Sequence, residues 1–109
     1  DFTYVDNVVQ MNHLAALTEN QDAIGQVFNT AVGERADLKT LFSHIRDHLA
    51  TFDSRIGNIK AKYGTERAGD IPHTLASIQK ARTLLGYAPT HSLKEGLKET
   101  VKWYWKHRN

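Results

Sequence analysis

The chain has 109 residues, 40% of them hydrophobic and 24% charged, with no cysteine and a net charge of only +2. Those figures fit one ordinary globular domain, exclude disulfides and thiolate chemistry, and give no general reason to expect nucleic acid as a partner. No apolar run approaches the ~20 residues of a membrane span, and no secretory leader is visible although the first residue is Asp1 rather than Met, so the cytoplasm is the expected location.

The first five residues, Asp1-Phe2-Thr3-Tyr4-Val5, form a β-type run. Asp6 can then cap a helix from Asn7 to about Glu19. Val8, Val9, Met11, Leu14, Ala15, Ala16 and Leu17 go most of the way round that helix. A helix apolar on nearly all sides is normally covered on nearly all sides, so a neighbour from outside these residues is expected. Residues 26–31 predict a short strand ending at Gly33. Asp37 is the expected cap of a helix to about Phe52, with Leu38, Leu41, Phe42, Ile45, Leu49 and Phe52 at i, i+3, i+4, i+7 spacing.

Residues 58–63 predict another strand, and 64–72 a charge-rich loop. Ser77 is the expected cap of a short helix with Ile78, Ala81, Leu84 and Leu85 inside. Gly86 stands where a left-handed C-terminal cap needs it, and Pro89 prevents continuation. Ser92-Leu93-Lys94-Glu95 spells a capping box. The helix behind it predicts a stripe of Leu93, Leu97, Thr100, Val101 and Tyr104. The expected fold class is therefore α/β: about four helices with a few short strands.

The most specific text in the chain is Arg67-Ala68-Gly69-Asp70-Ile71-Pro72-His73-Thr74, followed by Ala76-Ser77-Ile78-Gln79-Lys80-Ala81 and Leu84-Leu85-Gly86-Tyr87-Ala88-Pro89. It resembles the C-terminal signature of the extended short-chain dehydrogenase/reductase family, in its nucleotide-sugar epimerase and dehydratase branch. The likeness is not local. Residues 1–9, then Val27-Phe28-Asn29-Thr30-Ala31-Val32-Gly33 with Leu38 and Leu41-Phe42, then Leu93-Lys94-Glu95-Gly96-Leu97 with Thr100, Trp103 and Tyr104, follow the family's order over nearly the whole chain. Asp6-Asn7, with Gln10 and Asn12, looks most like bacterial epimerases acting on UDP-N-acetylhexosamines. Ser77 stands where aspartate is usual, and serine caps a helix about as well.

The resemblance implies a small C-terminal substrate lobe lacking the Rossmann lobe. Arg67 would contact the diphosphate of a sugar nucleotide, and Asp70 would bind a ribose hydroxyl. The chemistry suits both: arginine presents a fork of donors matched to phosphate oxygens, and a carboxylate accepts from vicinal hydroxyls. The plainer alternative is a surface loop in which Arg67 and Asp70 pair with each other or with Glu66. NAD would be bound by the other lobe. None of the glycines at 25, 33, 57, 64, 69, 86 and 96 forms the family's Gly-rich turn, and no Tyr-x-x-x-Lys pair occurs. This part alone is therefore expected to be inactive. The implied partners are a UDP-sugar and the chain's own Rossmann lobe. The parent would be a homodimer and the piece a monomer. A dehydratase or reductase of the same family, or a free-standing helical interaction module, is the alternative.

Other chemistry is weaker. His44 and His48 stand at i, i+4 with no third ligand placed, and helical surface histidines are the simpler reading. His73 lies in the signature segment, and His13, His91 and His107 have no distinguishing context. Lys94, Lys98, Lys102, Lys106 and Arg108 near Trp103, Tyr104 and Trp105 are diluted by Glu95 and Glu99. They read as one solvated helix face rather than a nucleic-acid or membrane surface. Gly64 and Gly69 have P-loop spacing without the Lys-Ser/Thr pair.

Overall fold

The computed structural model describes residues 1–69 and 74–108. Among these, regular structure consists of α1 (Val5–Leu17), α2 (Leu38–Ala50), α3 (Gln79–Leu85) and α4 (Leu93–Lys106), with 3-10 turns at Gln21–Ala23 and Ser54–Asn58. The described residues contain no strand. The expected α/β class is thus corrected to an all-helical one.

The reason is visible in how the strand-like segments are held. Along 26–33, the backbone is bonded by side chains rather than by a ladder. Lys80 Nζ donates to the Val27 carbonyl and Tyr87 Oη to the Ala31 carbonyl, while the Asp1 carboxylate accepts from the Val32 and Gly33 N–H groups. β-branched content makes these residues extended, but a strand needs a neighbouring backbone at about 4.8 Å, and none is supplied. At 58–63 the segment begins as the end of a 3-10 turn and continues as irregular chain with Ile59 and Tyr63 exposed. Residues 1–4 are likewise unpaired with any strand.

The helices follow their sequence signals more closely. Asp37 accepts from the Thr40 N–H at 2.8 Å and starts α2. Gly86, at φ +68°, ends α3 in the left-handed conformation that glycine adopts without penalty. Ser92 and Glu95 form the complete reciprocal box at the start of α4. Two starts differ. α1 begins at Val5 behind Tyr4, without a side-chain cap, and Asp6 lies inside its first turn, where a carboxylate favours the positive end of the helix. Ser77 sits two residues ahead of α3 and accepts only a long bond, 3.4 Å, from the Gln79 N–H.

The Glu95 cap gives the fold an acid sensitivity. Hydrogen bonds from the Ser92 backbone N–H and hydroxyl hold the Glu95 carboxyl below its ordinary 4.5. Hydrogen bonds from Arg55 do the same for Asp53. A carboxyl depressed in the folded state stabilises above its unfolded value, and that contribution disappears as pH falls through the lower folded one. These two groups should therefore leave thermal stability flat from pH 7 to 5 and lower it below about pH 4.5. Glu95→Gln/Asp53→Asn should melt with a weaker acid dependence by circular dichroism. An acid profile identical to that of the wild type would refute the assignment.

Packing falls into two groups. The main core joins Met11 of α1, Ala23, Ala31, Ile78, Ala81 and Leu85 of α3, and Tyr87, with Leu14, Phe28, Ala76 and Leu84 against it. The second group is α2 against α4 and the Ser54–Asn58 turn. Here Val101 is buried, Phe52 stacks on Trp105 with ring centroids 5.1 Å apart, and His48 Nε2 lies 3.1 Å from the Lys94 carbonyl. The α4 stripe ends on Trp105, not Tyr104, which is exposed. The joint between the groups is polar. Asn7, wholly buried, donates to the His91 carbonyl at 2.8 Å and accepts from the Thr90 and His91 N–H groups at 2.8 and 3.2 Å. Gln10 adds a two-way bond to Ala88.

The result is an open body. Its radius of gyration is 17.0 Å, against about 13 Å for a closed domain of this length. Its accessible surface is 8370 Å², against about 6,100 Å² for a compact monomer of this mass. Val5, Val9 and Leu17 on the outer side of α1 are all more than half exposed, as expected for a helix apolar nearly all round. Among the described residues, no helix is long and apolar enough to cross a membrane.

Candidate functional site

Arg67 lies in the irregular stretch between the Ser54–Asn58 turn and α3, where its side chain is exposed. It makes no ion pair among the described residues: the pairs there are Arg46–Asp47 and Arg55–Asp53. The alternative in which Glu66 neutralises it therefore does not hold. Asp70, the second expected ligand residue, and His73 lie outside the described residues.

What the structure does place is the frame around the signature. Thr74 lies against the first residue: the terminal ammonium on Asp1 donates to the Thr74 carbonyl at 3.1 Å and to its hydroxyl at 2.5 Å. The Asp1 carboxylate reaches the other way, to Val32 N at 3.2 Å and Gly33 N at 3.0 Å. Asn29 Nδ2 donates to the Ser77 carbonyl, and an added Cβ on Gly33 would stand 3.5 Å from Ile78. Three stretches far apart in sequence thus meet: the chain's first residue, residues 29–33 and residues 74–78. Between the last two lies an open crevice of about 420 Å³, with Val32, Gly33, Ser77 and Ile78 on its walls and the Arg82 guanidinium among its lining. Gly33 has φ +79°, a conformation that lets its N–H and that of Val32 point at one carboxylate.

A second hollow of about 320 Å³ lies between the Phe2–Val5 stretch and the α2–α4 pair, lined mainly by Phe2, Tyr4, Leu41, Leu93 and Leu97. It is apolar and carries no cluster of reactive groups. Burial raises the Tyr4 hydroxyl pKa above the ordinary phenol value, with the Asp6 and Glu99 charges adding to the effect, so Tyr4 stays protonated near neutrality.

Several of the remaining sequence candidates have structural roles. No group of three or more metal-ligating side chains occurs among the described residues. His48 faces the Lys94 carbonyl, His91 packs on the Tyr4 ring at 4.7 Å, and His107 lies against Trp103 at 4.4 Å. Gln10 and Asn12, which seemed to favour one sugar, serve the backbone: Gln10 holds Ala88, and Asn12 donates to Val8 of its own helix. Sequence reading passed over Asp1 and Thr74. Their partners stand 31 and more residues away, and no local pattern announces such a contact.

No protein-family model matches the chain. Curated relatives do. UDP-glucuronate 4-epimerase 4 of Arabidopsis thaliana is 33% identical over 118 residues, covering 95% of this chain and 25% of the relative. UDP-glucuronate 4-epimerase 1 of the same plant is 31% identical, with the same coverage. An uncharacterized UDP-glucose epimerase of Bacillus subtilis (strain 168) is 33% identical, covering 93% of this chain and 29% of the relative. The chain spans about a quarter of the length of these relatives. The chain is thus similar, along nearly its whole length, to one part of proteins named as nucleotide-sugar 4-epimerases, and none of these three names carries an acetamido sugar.

Proposed function

We propose that this chain is the substrate-binding portion of an NAD-dependent UDP-sugar 4-epimerase of the extended short-chain dehydrogenase/reductase type. The observation that carries the reading is a similarity to 4-epimerases running along 95% of the chain. The exposure of Arg67, which forms no ion pair among the described residues, is consistent with it. In this reading Arg67 grips the diphosphate and Asp70 a ribose hydroxyl. The chain orients substrate and contributes no proton donor or acceptor to the reacting carbon. Hydride chemistry at C4 belongs to NAD, held by residues beyond these 109, because nothing here has the Gly-rich turn that a dinucleotide needs. These residues by themselves are inactive and bind UDP weakly. The complete enzyme works as a homodimer in the cytoplasm.

For the sugar, the relatives' names favour UDP-glucuronate or UDP-glucose over UDP-N-acetylglucosamine. A dehydratase or reductase would share the Arg67–Asp70 signature, but the named relatives are epimerases.

The test uses the complete gene product with NAD and each of the three UDP-sugars, reading the C4 epimer by proton NMR. Conversion of at least one sugar is expected; failure with all three would overturn the epimerase reading. Arg67→Ala should raise KM about tenfold or more through loss of a charge-assisted contact, with kcat much less affected. An unchanged KM would remove Arg67 from the site.

A further inference from the structure

We infer that the crevice at Arg82 is the subsite for the C6 end of the sugar, and that Arg82 selects a uronate there by pairing its guanidinium with the carboxylate. The inference rests on the reading of the complete gene product as a UDP-sugar 4-epimerase, and it concerns a residue to which that reading gives no role.

The crevice is a site of donors. Its volume of about 420 Å³ falls within the ~300–1,000 Å³ of ligand clefts. Leu75, Ala76 and Ile78 give it an apolar wall, and its polar side chains are Ser77, Gln79 and Arg82. No carboxylate is among its lining. The Gln79 amide is engaged by Thr83 Oγ1 at 3.1 Å. The Ser77 hydroxyl accepts from the Gln79 N–H and donates to no group among the described residues. The Arg82 guanidinium has neither an ion pair nor a hydrogen bond among them. Arg46, Arg55 and Arg108, by contrast, are held by Asp47, Asp53 and the Trp105 carbonyl. The Asp1 carboxylate is bonded to the Val32 and Gly33 N–H groups and does not pair with Arg82. The hollow at Thr90 and His91 also carries a cation, Lys98, but Glu95 and Glu99 share it, so it is a poor seat for an anion.

Arg82 is also well anchored. Its N–H donates to the Ile78 carbonyl at 3.0 Å, its carbonyl accepts from Gly86, and Ala81 and Leu85 of the same helix are buried in the main core. A functional side chain rooted on a packed helix is placed more exactly than one on a loop. Leu75 follows Thr74 directly, so the crevice adjoins the end of the signature segment.

Glucose and glucuronate differ at C6, which carries a hydroxymethyl in one and a carboxylate in the other. Moving a carboxylate out of water without a partner is costly. A guanidinium meets both of its oxygens with parallel N–H···O bonds, and a neutral hydroxymethyl gains no such pair. Arg82 therefore favours a uronate, the sugar named for two of the relatives.

The experiment measures KM and kcat for UDP-glucuronate, UDP-glucose and UDP-N-acetylglucosamine, and UDP affinity by calorimetry, in the complete gene product. Arg82→Gln and Arg82→Lys are compared with Lys98→Gln, which removes a cation from the other hollow. Arg82→Gln should raise KM for UDP-glucuronate about tenfold or more and leave UDP affinity and KM for the neutral sugars at wild-type values. Arg82→Lys, which keeps the charge but not the fork, should recover part of the loss. Lys98→Gln should behave as wild type. A KM for UDP-glucuronate unchanged in Arg82→Gln refutes the subsite. So does an equal rise for all sugars with weaker UDP binding, which would place Arg82 at the phosphates. A wild type that turns over only neutral sugars refutes the subsite and leaves the epimerase reading standing. One that turns over none of the three overturns both.

Discussion

Asn7→Ala is expected to lower stability by about 3–4 kcal/mol. Asn7 has no exposed surface, and its amide satisfies the His91 carbonyl, both successive N–H groups of Thr90 and His91, and, more loosely, the Thr90 hydroxyl at 3.3 Å. Alanine removes every one of these partners at once from groups with restricted access to water. The bonds also join α1 to the stretch that leads into α4, so their loss uncouples the two packing groups. In a domain of this size that amounts to a fall in melting temperature of roughly 15 °C or more. Asn12→Ala is the matched control: it stands on the same helix, is exposed, and only returns a bond to Val8. Urea unfolding of both variants decides the matter. An Asn7→Ala loss no greater than that of Asn12→Ala would mean that the joint is held by something else.

Gly96→Ala is expected to destabilise by a net of about 2 kcal/mol, against the usual direction for a helix interior. Alanine normally gains up to about 1 kcal/mol over glycine there. At this position an added Cβ would stand 2.5 Å from Tyr4 Cβ and 2.8 Å from Tyr4 Cγ. Those atoms sit at the root of the side chain, and the ring beyond them is packed on His91, so a rotamer change does not relieve the overlap. The Phe2–Val5 stretch would have to lift from α4. A cycle with Tyr4→Gly isolates the effect. With the Tyr4 side chain gone, Gly96→Ala should become neutral or stabilising. A Gly96→Ala variant more stable than wild type in the native background would show that Tyr4 does not approach α4 this closely in solution.

The helices were legible because their signals are local. Asp37 and the Ser92–Glu95 box act within three residues, and Gly86 within the last turn of α3. The i, i+4 run of α2 already marked the side that meets α4. The α4 stripe was read one position off at its end: the line facing α2 runs Leu93, Leu97, Val101, Trp105, so Trp105 stacks on Phe52 and Tyr104 turns to solvent. Periodicity gives a face a width of about 100°; which edge of it meets the neighbour depends on how the two helices cross. For the site, sequence singled out Arg67 and Asp70; Arg67 lies exposed in an irregular stretch with no ion pair among the described residues, and Asp70 falls outside them. Asp1 and Thr74 went unread because their meaning lies in partners remote in sequence.

Sequence by itself determined where the chain coils, where each coil stops, and which family of enzymes its signature resembles, because caps, glycine cues and apolar spacing act over a handful of neighbouring residues. Tertiary structure alone decided that the β-rich stretches would not become a sheet. The same composition that keeps residues 26–33 extended would serve a ladder equally well, had a second extended backbone been beside it. Instead Asp1, Lys80 and Tyr87, brought from 31 to 56 residues away, take up those backbone groups. A buried or half-buried peptide group must find some partner, and which partner arrives is settled by the packing of the whole chain.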